Sequence, residues 1–456
     1  MTETAYTRDW ERTVNDFLET SVPTEIHEHG HRTVVDVLSA AVAGTTMPGI
    51  GELLAPDALP EGRASIPGSD RQVTPEHAAL VTTAAAISQE VEEGHDRGGH
   101  AGASIVAGGL STAEVEGLPG RDFVANVIKV YEITTRMEYA LFAMKDRLND
   151  AVPWLVRDPH STWTTVGPAL STALALGASA EDLRETFRIA ANLAVVSMHD
   201  PYVEGAPARN LTAGFSAQAG VTAARTGLAG VRGSKRAIEA VYDPLDALLG
   251  EGEFTKLFEN LGEDWWITES YNKPYPSCRY THPALDALRD IANIESVDPR
   301  DVDRIVVQTF ENAAAMDHQD PTTPTSAKFS IPYVLGRYLV SGGVSLQHFL
   351  EDVVREPAVL DLAKTVTVDA EARFEAEFPD SWGAAVRVET TDGRVLTGDR
   401  AYPSGDHRDP MTEEDFEKRT RDLLAWGLDD GVDEAAAALF DLPNRSMDSV
   451  ARSLRE

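Results

Sequence analysis

The stretch AAVRVETTDGRVLTGDR, residues 384–400, alternates apolar and polar residues in two runs on either side of Asp392-Gly393. Alternation with a period of two is typical of a β-strand that has one buried face. An Asp-Gly pair between two such runs favours a tight turn, so the stretch predicts a β-hairpin. This part of the chain is therefore not purely helical.

Two nearby segments have the same pattern. DVDRIVVQTF (301–310) and TVTVDAEARF (365–374) carry Val and Ile at alternating positions, which favours strands. THPALDALRDIAN (281–293) and SIPYVLGRYLVSG (330–342), which lie between the strands, have helical periodicity instead. Residues 268–398 are therefore predicted to form an α+β domain.

The rest of the chain has the periodicity of helices. VVDVLSAAVAGT (34–45) and EDLRETFRIAANLAVVSM (181–198) repeat apolar residues at helical spacing, and Ser179 is placed to cap the second. Similar patterns occupy 78–93, 122–141, 165–179, 217–230 and 411–427. The predicted fold class is mainly α. Both chain ends, residues 1–267 and 399–456, form a large all-helical domain, and residues 268–398 form a smaller inserted α+β domain.

Composition and charge exclude several classes of protein. A chain of 456 residues with 42% hydrophobic residues can bury more than one core. Its net charge of −34 would repel the phosphates of nucleic acid. Acids spread along the whole chain, with few lysines, are typical of a halophilic protein surface. The single cysteine, Cys278, excludes an internal disulfide and a multi-cysteine zinc site.

The sequence also predicts no association with a membrane. No apolar run approaches the roughly 20 residues that span a bilayer. The start, MTETAYTRDWERTV, lacks the basic and apolar regions of a signal peptide. A cytoplasmic location is therefore expected.

Two histidine-containing segments are candidate proton-transfer loops. EVEEGHDRGGHAG (90–102) combines acids, two histidines and glycines that allow close approach of a ligand. RDPHSTWTT (157–165) places His160 before a helix, where the dipole favours the neutral imidazole that a general base requires. The alternatives are a solvated helix end for the first segment and a capping or surface histidine for the second.

A third segment, YNKPYPSCRYTHP (271–283), gathers cations in an otherwise acidic protein. Lys273 and Arg279 suit an anionic substrate, and His282 follows closely. Cys278 on its own is more often a packed thiol than a nucleophile.

A fourth segment, AKFSIPY (327–333), is interpreted as the start of a core helix, with Tyr333 a candidate for a hydroxyl in a cleft. EIHEHGH (25–31) lacks the HExxH spacing of a zinc helix, so no metal is predicted there. The chain also lacks GxGxxG with its following acid, a P-loop and a GxSxG elbow.

Several of these blocks occur in a recognisable order: EVEEGHDRGGHAGA, PHSTWTTVG, KPYPSCRYTHPALDAL, AKFSIPY and YPSGDHRDPMTEEDFEKR. In this order, over nearly the whole chain, they resemble the MmgE/PrpD family, which includes 2-methylcitrate dehydratase, cis-aconitate decarboxylase and iminodisuccinate epimerase. The resemblance implies a helical domain from both chain ends, an inserted α+β lid and a homodimer. It also implies a pocket between the domains that needs no metal or other cofactor.

The resemblance assigns the site residues as well. The implied catalytic residues are His100, His160, Lys273, Tyr333 and Glu93. The implied substrate-binding residues are Glu90, His95, Arg209, Cys278, Arg279 and His282.

The chain departs from the family pattern at several of these positions. Glu90 to Gly94 stand where members often have Asp-Phe-Asp-Asp-Thr, and Arg209 stands where a pocket lysine is usual. Cys278 occupies a position that is histidine in decarboxylase-type members. These departures indicate a distinct subgroup whose substrate is open.

The implied partner is a small di- or tricarboxylate, and the implied reaction is proton transfer at a carbon next to a carboxylate. Lys273, Arg279 and Arg209 would stabilise an enolate-like dianion. His100 or His160 would act as acid or base, and Glu92 or Glu93 would orient a histidine or water.

Dehydration of 2-methylcitrate is the first expectation. Decarboxylation of cis-aconitate and epimerisation of an amino or imino dicarboxylate are the alternatives within the family. A non-catalytic carboxylate-binding protein and a metal hydrolase are alternatives of other classes.

Overall fold

The computed structural model describes residues 6–97, 99–142, 165–193, 206–237 and 257–455. The candidate His160 lies outside the described residues.

Helices dominate the first part of the chain. They are α1 (Tyr6–Glu19), α2 (His27–Gly44), α3 (Ile50–Leu53), α4 (Pro75–Ser88), α5 (Ala101–Glu116), α6 (Gly120–Phe142), α7 (Val166–Ala175), α8 (Ala180–Asn192) and α9 (Ala208–Leu228). Ser179 caps α8 in a capping box with Asp182, as the sequence predicts. Small residues allow the close packing of these helices. A Cβ added at Gly44 would lie 1.9 Å from the Ala85 carbonyl oxygen.

A hairpin that the sequence patterns do not predict lies among these helices. β1 (Glu61–Ile66) and β2 (Ser69–Val73) pair antiparallel across Pro67-Gly68, with Gly68 at φ 78°. Gly68 donates its backbone N–H to the Leu454 carbonyl at 2.6 Å. The strands are short and charged, so alternation is weak, but Pro-Gly is itself a turn signal.

The second part of the chain alternates short helices with strands. Its strands are β5 (Val302–Thr309), β6 (Val366–Ala370), β7 (Ala384–Thr390) and β8 (Val395–Arg400). Its helices are α10 (His282–Ile294), α11 (Glu311–Ala314), α12 (Pro324–Lys328), α13 (Ile331–Ser341), α14 (Pro357–Ala363) and α15 (Ala372–Glu377). The tail contains α16 (Glu413–Gly427), α17 (Val432–Phe440) and α18 (Met447–Ser453).

The strands form one mixed sheet with the order β6-β5-β7-β8. β5 and β6 are parallel, with Val306 opposite Thr367, whereas β7 is antiparallel to both β5 and β8. The predicted hairpin at Asp392-Gly393 is confirmed, and Gly393 has the positive φ of 87° that such a turn requires.

Buried apolar residues form two large clusters. The first runs from Val14 to Ile267 and takes in tail residues such as Leu424 and Val450. The second lies between Ala284 and Val388. The mainly α fold with a smaller α+β part, and the contribution of both chain ends to the helical core, are therefore confirmed. The limits 1–267, 268–398 and 399–456 stay a prediction.

Shorter 3₁₀ turns link several elements: Thr24–Ile26, Trp266–Glu269, Arg279–Thr281, Pro299–Asp301, Leu346–Phe349 and Leu442–Asn444. Among the described residues, every helix is too short or too polar to span a bilayer.

Candidate active site

The segment after α4 turns sharply and carries its acids into the interior. The helical pattern predicted over 78–93 ends at Ser88, and Glu90 adopts a φ of 55°. A left-handed φ is uncommon for a residue with a side chain, and such strained residues cluster at functional sites. The turn leaves Glu90, Glu92 and Glu93 all buried.

A small sheet brings the cationic segment to these acids. β3 (Gly94–His95) pairs antiparallel with β4 (Ser270–Tyr271), and Gly94 lies opposite Tyr271. A Cβ at Gly94 would lie 2.3 Å from the Tyr271 hydroxyl, which explains the glycine. Two motifs far apart in sequence thereby meet, with Lys273 next to the acids.

Two buried charged residues brace this junction. Asp36 of α2 accepts the Glu93 backbone N–H at 2.7 Å and the Asn272 amide at 2.8 Å. Arg419 of α16 pairs with Asp36 at 3.1 Å and donates to the Lys273 carbonyl at 2.7 Å. Both chain ends therefore fix the position of Lys273.

Glu90 lies between two cations. Its Oε2 accepts from Lys273 Nζ at 3.1 Å, and its Oε1 forms an ion pair with Arg209. Burial raises the pKa of Glu90, but Arg209 and Lys273 more than offset this and hold it well below its usual range. Burial lowers the pKa of Lys273, but Glu90 and Glu92 reverse that shift and raise it. Glu90 is therefore ionised and holds both cations in place.

Glu92 has a different environment. Its carboxylate lies 3.7 Å from Lys273 Nζ and 3.1 Å from His100 Nδ1. Neither oxygen accepts a hydrogen bond with good geometry from the described residues. Burial raises the pKa of Glu92 to about 7; Lys273 lowers it and Glu90 raises it further. Such a carboxyl can hold or release a proton near neutral pH.

His100 lies at the start of α5. Its Nδ1 donates to the Glu93 carbonyl at 2.8 Å, which fixes the proton on that nitrogen and orients the ring. The structure therefore brings together Glu90, Glu92, His100, Arg209 and Lys273. We call these five residues the polar centre.

Glu93, predicted to be catalytic, is hydrogen-bonded to two neighbouring helices. Its Oε1 accepts the Gly102 backbone N–H at 2.9 Å, and its Oε2 accepts the Tyr131 hydroxyl at 3.0 Å. The carboxyl group thus anchors the first turn of α5 to α6. Burial and the nearby Asp36 raise the pKa of Glu93 to about 8. These contacts are those of a positioning residue, and the catalytic role of Glu93 stays a prediction.

We expect Glu93→Gln to preserve turnover within about threefold and to flatten the pH dependence of stability. The folded pKa of Glu93 lies above its unfolded value. Its stabilising contribution is therefore present at low pH and is lost as pH rises from about 4.5 to about 8. Thermal unfolding of both proteins at about pH 5 and pH 8 measures this. A steeper loss of stability at high pH in the variant would contradict it.

The two histidines predicted to bind substrate are held by backbone groups. His95 donates from Nε2 to the Trp266 carbonyl at 2.9 Å and accepts the Arg97 N–H at 3.0 Å. Burial lowers its pKa to about 3. His282 donates to the Ser277 carbonyl at 3.1 Å, and burial lowers its pKa well below the usual value. Both rings are therefore neutral and structural in this arrangement.

The side chain of Arg279 also contacts protein groups outside the polar centre. Its guanidinium pairs with Asp406 at 2.9 Å and lies 4.0 Å from the centroid of the Tyr271 ring. The prediction placed it on a substrate carboxylate. In the structure its ion pair joins the 279–281 turn to the loop before the tail, and its contact with a substrate stays a prediction.

Tyr333 does not reach the polar centre with its hydroxyl. The hydroxyl donates to the His348 carbonyl at 2.6 Å and accepts from Arg337 at 3.2 Å. The ring packs in the α+β hydrophobic cluster beside Phe349. The catalytic role predicted for Tyr333 is therefore not supported by its contacts.

Cys278 lies near the polar centre as a neutral group. Burial raises the pKa of its thiol to about 12, and Glu90 adds to the shift. A thiol of this kind is a poor nucleophile and a poor acid at neutral pH.

A cavity of about 640 Å³ lies between α16 and the loops at 274–276, 344–347 and 404–412. Val91 and Pro274 line it, so it begins one residue from Glu90 and Lys273. None of the predicted site residues that the structure describes is part of its lining. The cavity therefore borders the polar centre but does not contain it.

Two family models match the chain in sequence. The model of the MmgE/PrpD N-terminal domain matches residues 12–257, and that of the MmgE/PrpD C-terminal domain matches residues 275–442. The chain belongs to the MmgE/PrpD family. The resemblance inferred from the motifs is confirmed.

Relatives of this MmgE/PrpD chain include proteins named for one activity. It is 22% identical to the human cis-aconitate decarboxylase over 396 residues, which covers 83% of this chain and 79% of the relative. It is 22% identical to an Aspergillus terreus cis-aconitate decarboxylase over 438 residues, which covers 90% of this chain and 87% of the relative. A cis-aconitate decarboxylase-like protein of Aspergillus oryzae is 23% identical over 444 residues, which covers 91% of this chain and 90% of that protein.

Two buried residues at the site of this MmgE/PrpD chain, Asp36 and Lys328, are not among those that the sequence predicts. Asp36 is a lone acid within the apolar pattern VVDVLSAAVAG, which was the available signal. Lys328 is fully buried next to the polar centre, whereas the candidate that the sequence indicates in AKFSIPY is Tyr333. A lysine just before a buried helix was the signal in that case.

A metal ion is disfavoured at the polar centre by the charges already present. The ligand atoms of Glu90, Glu92 and His100 lie within 4.8 Å of one another, as a metal site requires. Glu90, however, is held by Lys273 and Arg209, and two fixed cations would repel a divalent ion. The donor set therefore fits an anionic ligand better than a metal.

A second group of possible metal ligands consists of Asp96, Asp406 and His407. A metal ion is disfavoured there for the same reason. Arg279 and Arg408 both pair with Asp406, so cations of the protein already compensate this acid.

The histidine-rich tract 25–31 lies at the start of α2. His31 donates to the Leu439 carbonyl at 2.8 Å, which ties α2 to the tail. Among the described residues, the groups with metal-ligand geometry include no histidine of this tract.

Proposed function

We propose that this chain is a lyase that acts on a small di- or tricarboxylate by proton transfer at a carbon next to a carboxylate. The observation that carries the proposal is the buried set of Glu90, Glu92 and Lys273. Two carboxyl groups flank one ammonium group there, and their pKa values shift in opposite directions. Pairs of acids with separated pKa values are typical of proton-transfer sites.

The cations suit the proposed substrate. In a protein of net charge −34, Lys273 and Arg209 form a buried positive pair whose geometry is fixed by one glutamate. Fixed cations in a site with little water stabilise negative charge that develops on a carboxylate as its neighbouring carbon loses or gains a proton. Their rigidity avoids reorganisation during the reaction.

Glu92 is the proposed proton carrier. It lies between Lys273 and His100, and its pKa of about 7 allows it to donate or accept near neutral pH. His100 is the second candidate, oriented by the Glu93 carbonyl. His160 keeps the role of acid or base that the resemblance implies.

Decarboxylation of cis-aconitate is the favoured specific reaction, because the relatives above carry that name. In this reaction CO₂ leaves, its bonding electrons remain on the carbon skeleton, and one proton is delivered to carbon. Glu92 in its protonated form would supply that proton. Lys273 and Arg209 would hold the carboxylates that remain.

Dehydration of a 2-methylcitrate-like hydroxy acid is the second candidate, favoured by the nature of Cys278. The resemblance places a histidine of decarboxylase-type members at this position, and a neutral thiol cannot replace its proton chemistry. Dehydration needs one group to remove a proton from carbon and another to protonate the leaving hydroxyl. Glu92 and a histidine would divide these two tasks.

The test is a proton NMR time course in D₂O at high salt, with cis-aconitate, 2-methylcitrate and aspartate-derived dicarboxylates offered separately. Loss of CO₂ from cis-aconitate would assign the decarboxylase, and a new alkene signal from 2-methylcitrate would assign the dehydratase. Deuterium wash-in without a new product would assign an epimerase. Binding of these acids without any of these changes would indicate a non-catalytic carboxylate-binding protein.

We expect turnover to survive removal of metal ions. Lys273 and Arg209 already supply the positive charge that a divalent ion would supply in a metal-dependent lyase. The rate after dialysis against a chelator is therefore predicted to stay within about twofold of the untreated rate. Loss of activity that returns with added metal would refute this and would favour a metal hydrolase. The homodimer implied by the resemblance stays a prediction.

A further inference from the structure

Lys328 is a second buried lysine beside the polar centre. It ends α12, and its residue is 1% exposed. Its Nζ donates to the Ser88 carbonyl at 3.2 Å and to Gln89 Oε1 at 2.8 Å. These acceptors immediately precede Glu90, so the ammonium group lies against the turn that carries the acids.

The surroundings hold Lys328 in one orientation. The Gln89 amide donates from Nε2 to the Ala43 carbonyl at 3.3 Å, which directs its oxygen toward Lys328. The Lys328 carbonyl accepts the Cys278 N–H at 2.9 Å. The residue is therefore clamped between the two motif segments, as a preorganised binding group must be.

Among the described residues, Lys328 has no carboxylate partner, although its Nζ lies 5.7 Å from the centroid of the Phe349 ring. Both of its acceptors are neutral, and no carboxylate forms an ion pair with its Nζ in the part of the chain that the structure describes. Lys273 and Arg209, in contrast, share Glu90. Buried charges in proteins are normally paired, because an unpaired one is costly. Lys328 is thus a buried cation that the described residues leave without a counter-ion.

The charged groups around Lys328 make its protonation sensitive to a ligand. Burial lowers the pKa of Lys328 to about 7; Glu90 and Glu92 raise it, and Arg209 and Lys273 lower it. The Cys278 thiol beside it is neutral. A carboxylate placed at Nζ would favour the ammonium form. An ammonium group has three N–H donors, and only two acceptors from the described residues occupy them.

We propose that Lys328 binds one carboxylate of the substrate, with that carboxylate as its missing counter-ion. This inference rests on the proposed function and extends it. Lys273 and Arg209 are already paired directly with Glu90, whereas Lys328 forms no direct ion pair with a described carboxylate. A substrate with two or three carboxylates would then contact more than one cation of the site.

Isothermal titration calorimetry with propane-1,2,3-tricarboxylate tests the proposal. This saturated acid cannot undergo the decarboxylation, so binding is measured without turnover. Lys328→Met is one atom shorter but keeps an unbranched side chain, and it removes the charge. We expect affinity to fall by a factor of about 10 to 100, the loss of one charge-assisted hydrogen bond.

The matched control is Lys129→Met. Lys129 donates to a single backbone carbonyl, that of Leu18 at 2.7 Å, and takes no part in the polar centre. Its replacement should leave the affinity for the tricarboxylate unchanged. Thermal unfolding shows whether each variant is folded.

A second variant, Lys328→Arg, keeps the positive charge at every pH. Glu92 titrates in the same range as Lys328, so the comparison is made in the Glu92→Gln background. With Lys328 present, affinity should weaken as pH rises above about 7, because the amine loses its proton. With arginine there, affinity should stay constant over the same range.

The outcomes separate this inference from the proposed function. Unchanged affinity in folded Lys328→Met, or the same pH slope with lysine and arginine, would overturn the role of Lys328 even if the wild type converts a substrate. If Lys328→Met does not fold, the arginine comparison decides alone. Failure of the wild type to bind any polycarboxylate would overturn both.

Discussion

Replacing Glu92 with glutamine is expected to lower kcat/KM by a factor of about 10² to 10⁴, the usual contribution of a general acid or base. Glutamine keeps the shape of the side chain but can neither donate nor accept the transferred proton. The polar centre should stay intact, because Lys273 still pairs with Glu90. Steady-state rates on the substrate that the chain converts measure the loss.

The fold should survive this substitution. Burial raises the pKa of Glu92 above its unfolded value, so its ionised form destabilises the folded chain. Its stabilising contribution is present at low pH and is lost as pH rises from about 4.5 to about 7. Glutamine does not ionise, so Glu92→Gln does not lose stability in this way as pH rises. Above about pH 7 the variant should therefore unfold at a temperature no lower than that of the wild type.

Glu93→Gln is the matched control for Glu92→Gln. The two residues are adjacent, both are buried, and both have raised pKa values. Only Glu92 faces Lys273 and His100, whereas Glu93 is engaged by Gly102 and Tyr131. Equal losses of turnover in the two variants would contradict the separate roles.

Replacing Lys273 with methionine is expected to abolish measurable turnover and to destabilise the fold by about 3–5 kcal/mol. Lys273 is 0% exposed, and its loss leaves Glu90 paired with Arg209 alone and removes the ammonium group that lies 3.7 Å from Glu92. Removing one partner of a buried ion pair costs far more than removing a surface pair. Denaturant titration measures the change in the free energy of unfolding.

A double-mutant cycle that combines Lys273→Met with Glu90→Gln measures the interaction energy of the Glu90–Lys273 pair. The combined variant should be less destabilised than the sum of the two single variants, by about 1–3 kcal/mol, since no half of the Glu90–Lys273 pair remains. Lys364→Met is the surface control: Lys364 forms an exposed pair with Asp361, and its loss should cost less than about 1 kcal/mol. Additive effects in the cycle would refute the buried pair.

Sequence patterns predicted the elements that have a regular buried face. The strands at 301–310 and 384–400 and the helices at 281–293 and 330–342 appear within one or two residues of their limits. The β1-β2 hairpin was missed, because its charged strands lack alternation. The helix predicted through Glu93 ends at Ser88, because tertiary contacts of Glu90 and Glu93 replace its last turn.

The site was predictable in composition but not in orientation. Glu90, His100 and Lys273 lie in motifs that the sequence analysis names, Arg209 is implied by the family resemblance, and the structure brings all four together. The directions of His95 and Tyr333 could not be predicted, because their partners are backbone carbonyls of Trp266 and His348. Every residue has a backbone carbonyl, whatever its side chain. Periodicity and composition therefore cannot show which carbonyl a side chain will bond to.

The most direct test of the polar centre is one NMR time course with the wild type, Glu92→Gln and Glu93→Gln, each offered cis-aconitate and 2-methylcitrate in D₂O. We predict that the wild type and Glu93→Gln convert one of these acids at similar rates and that Glu92→Gln is slower by a factor of at least about 100. Conversion by Glu92→Gln at the wild-type rate would contradict proton transfer by Glu92. If none of the three folded proteins converts either acid, the proposed reaction itself is contradicted.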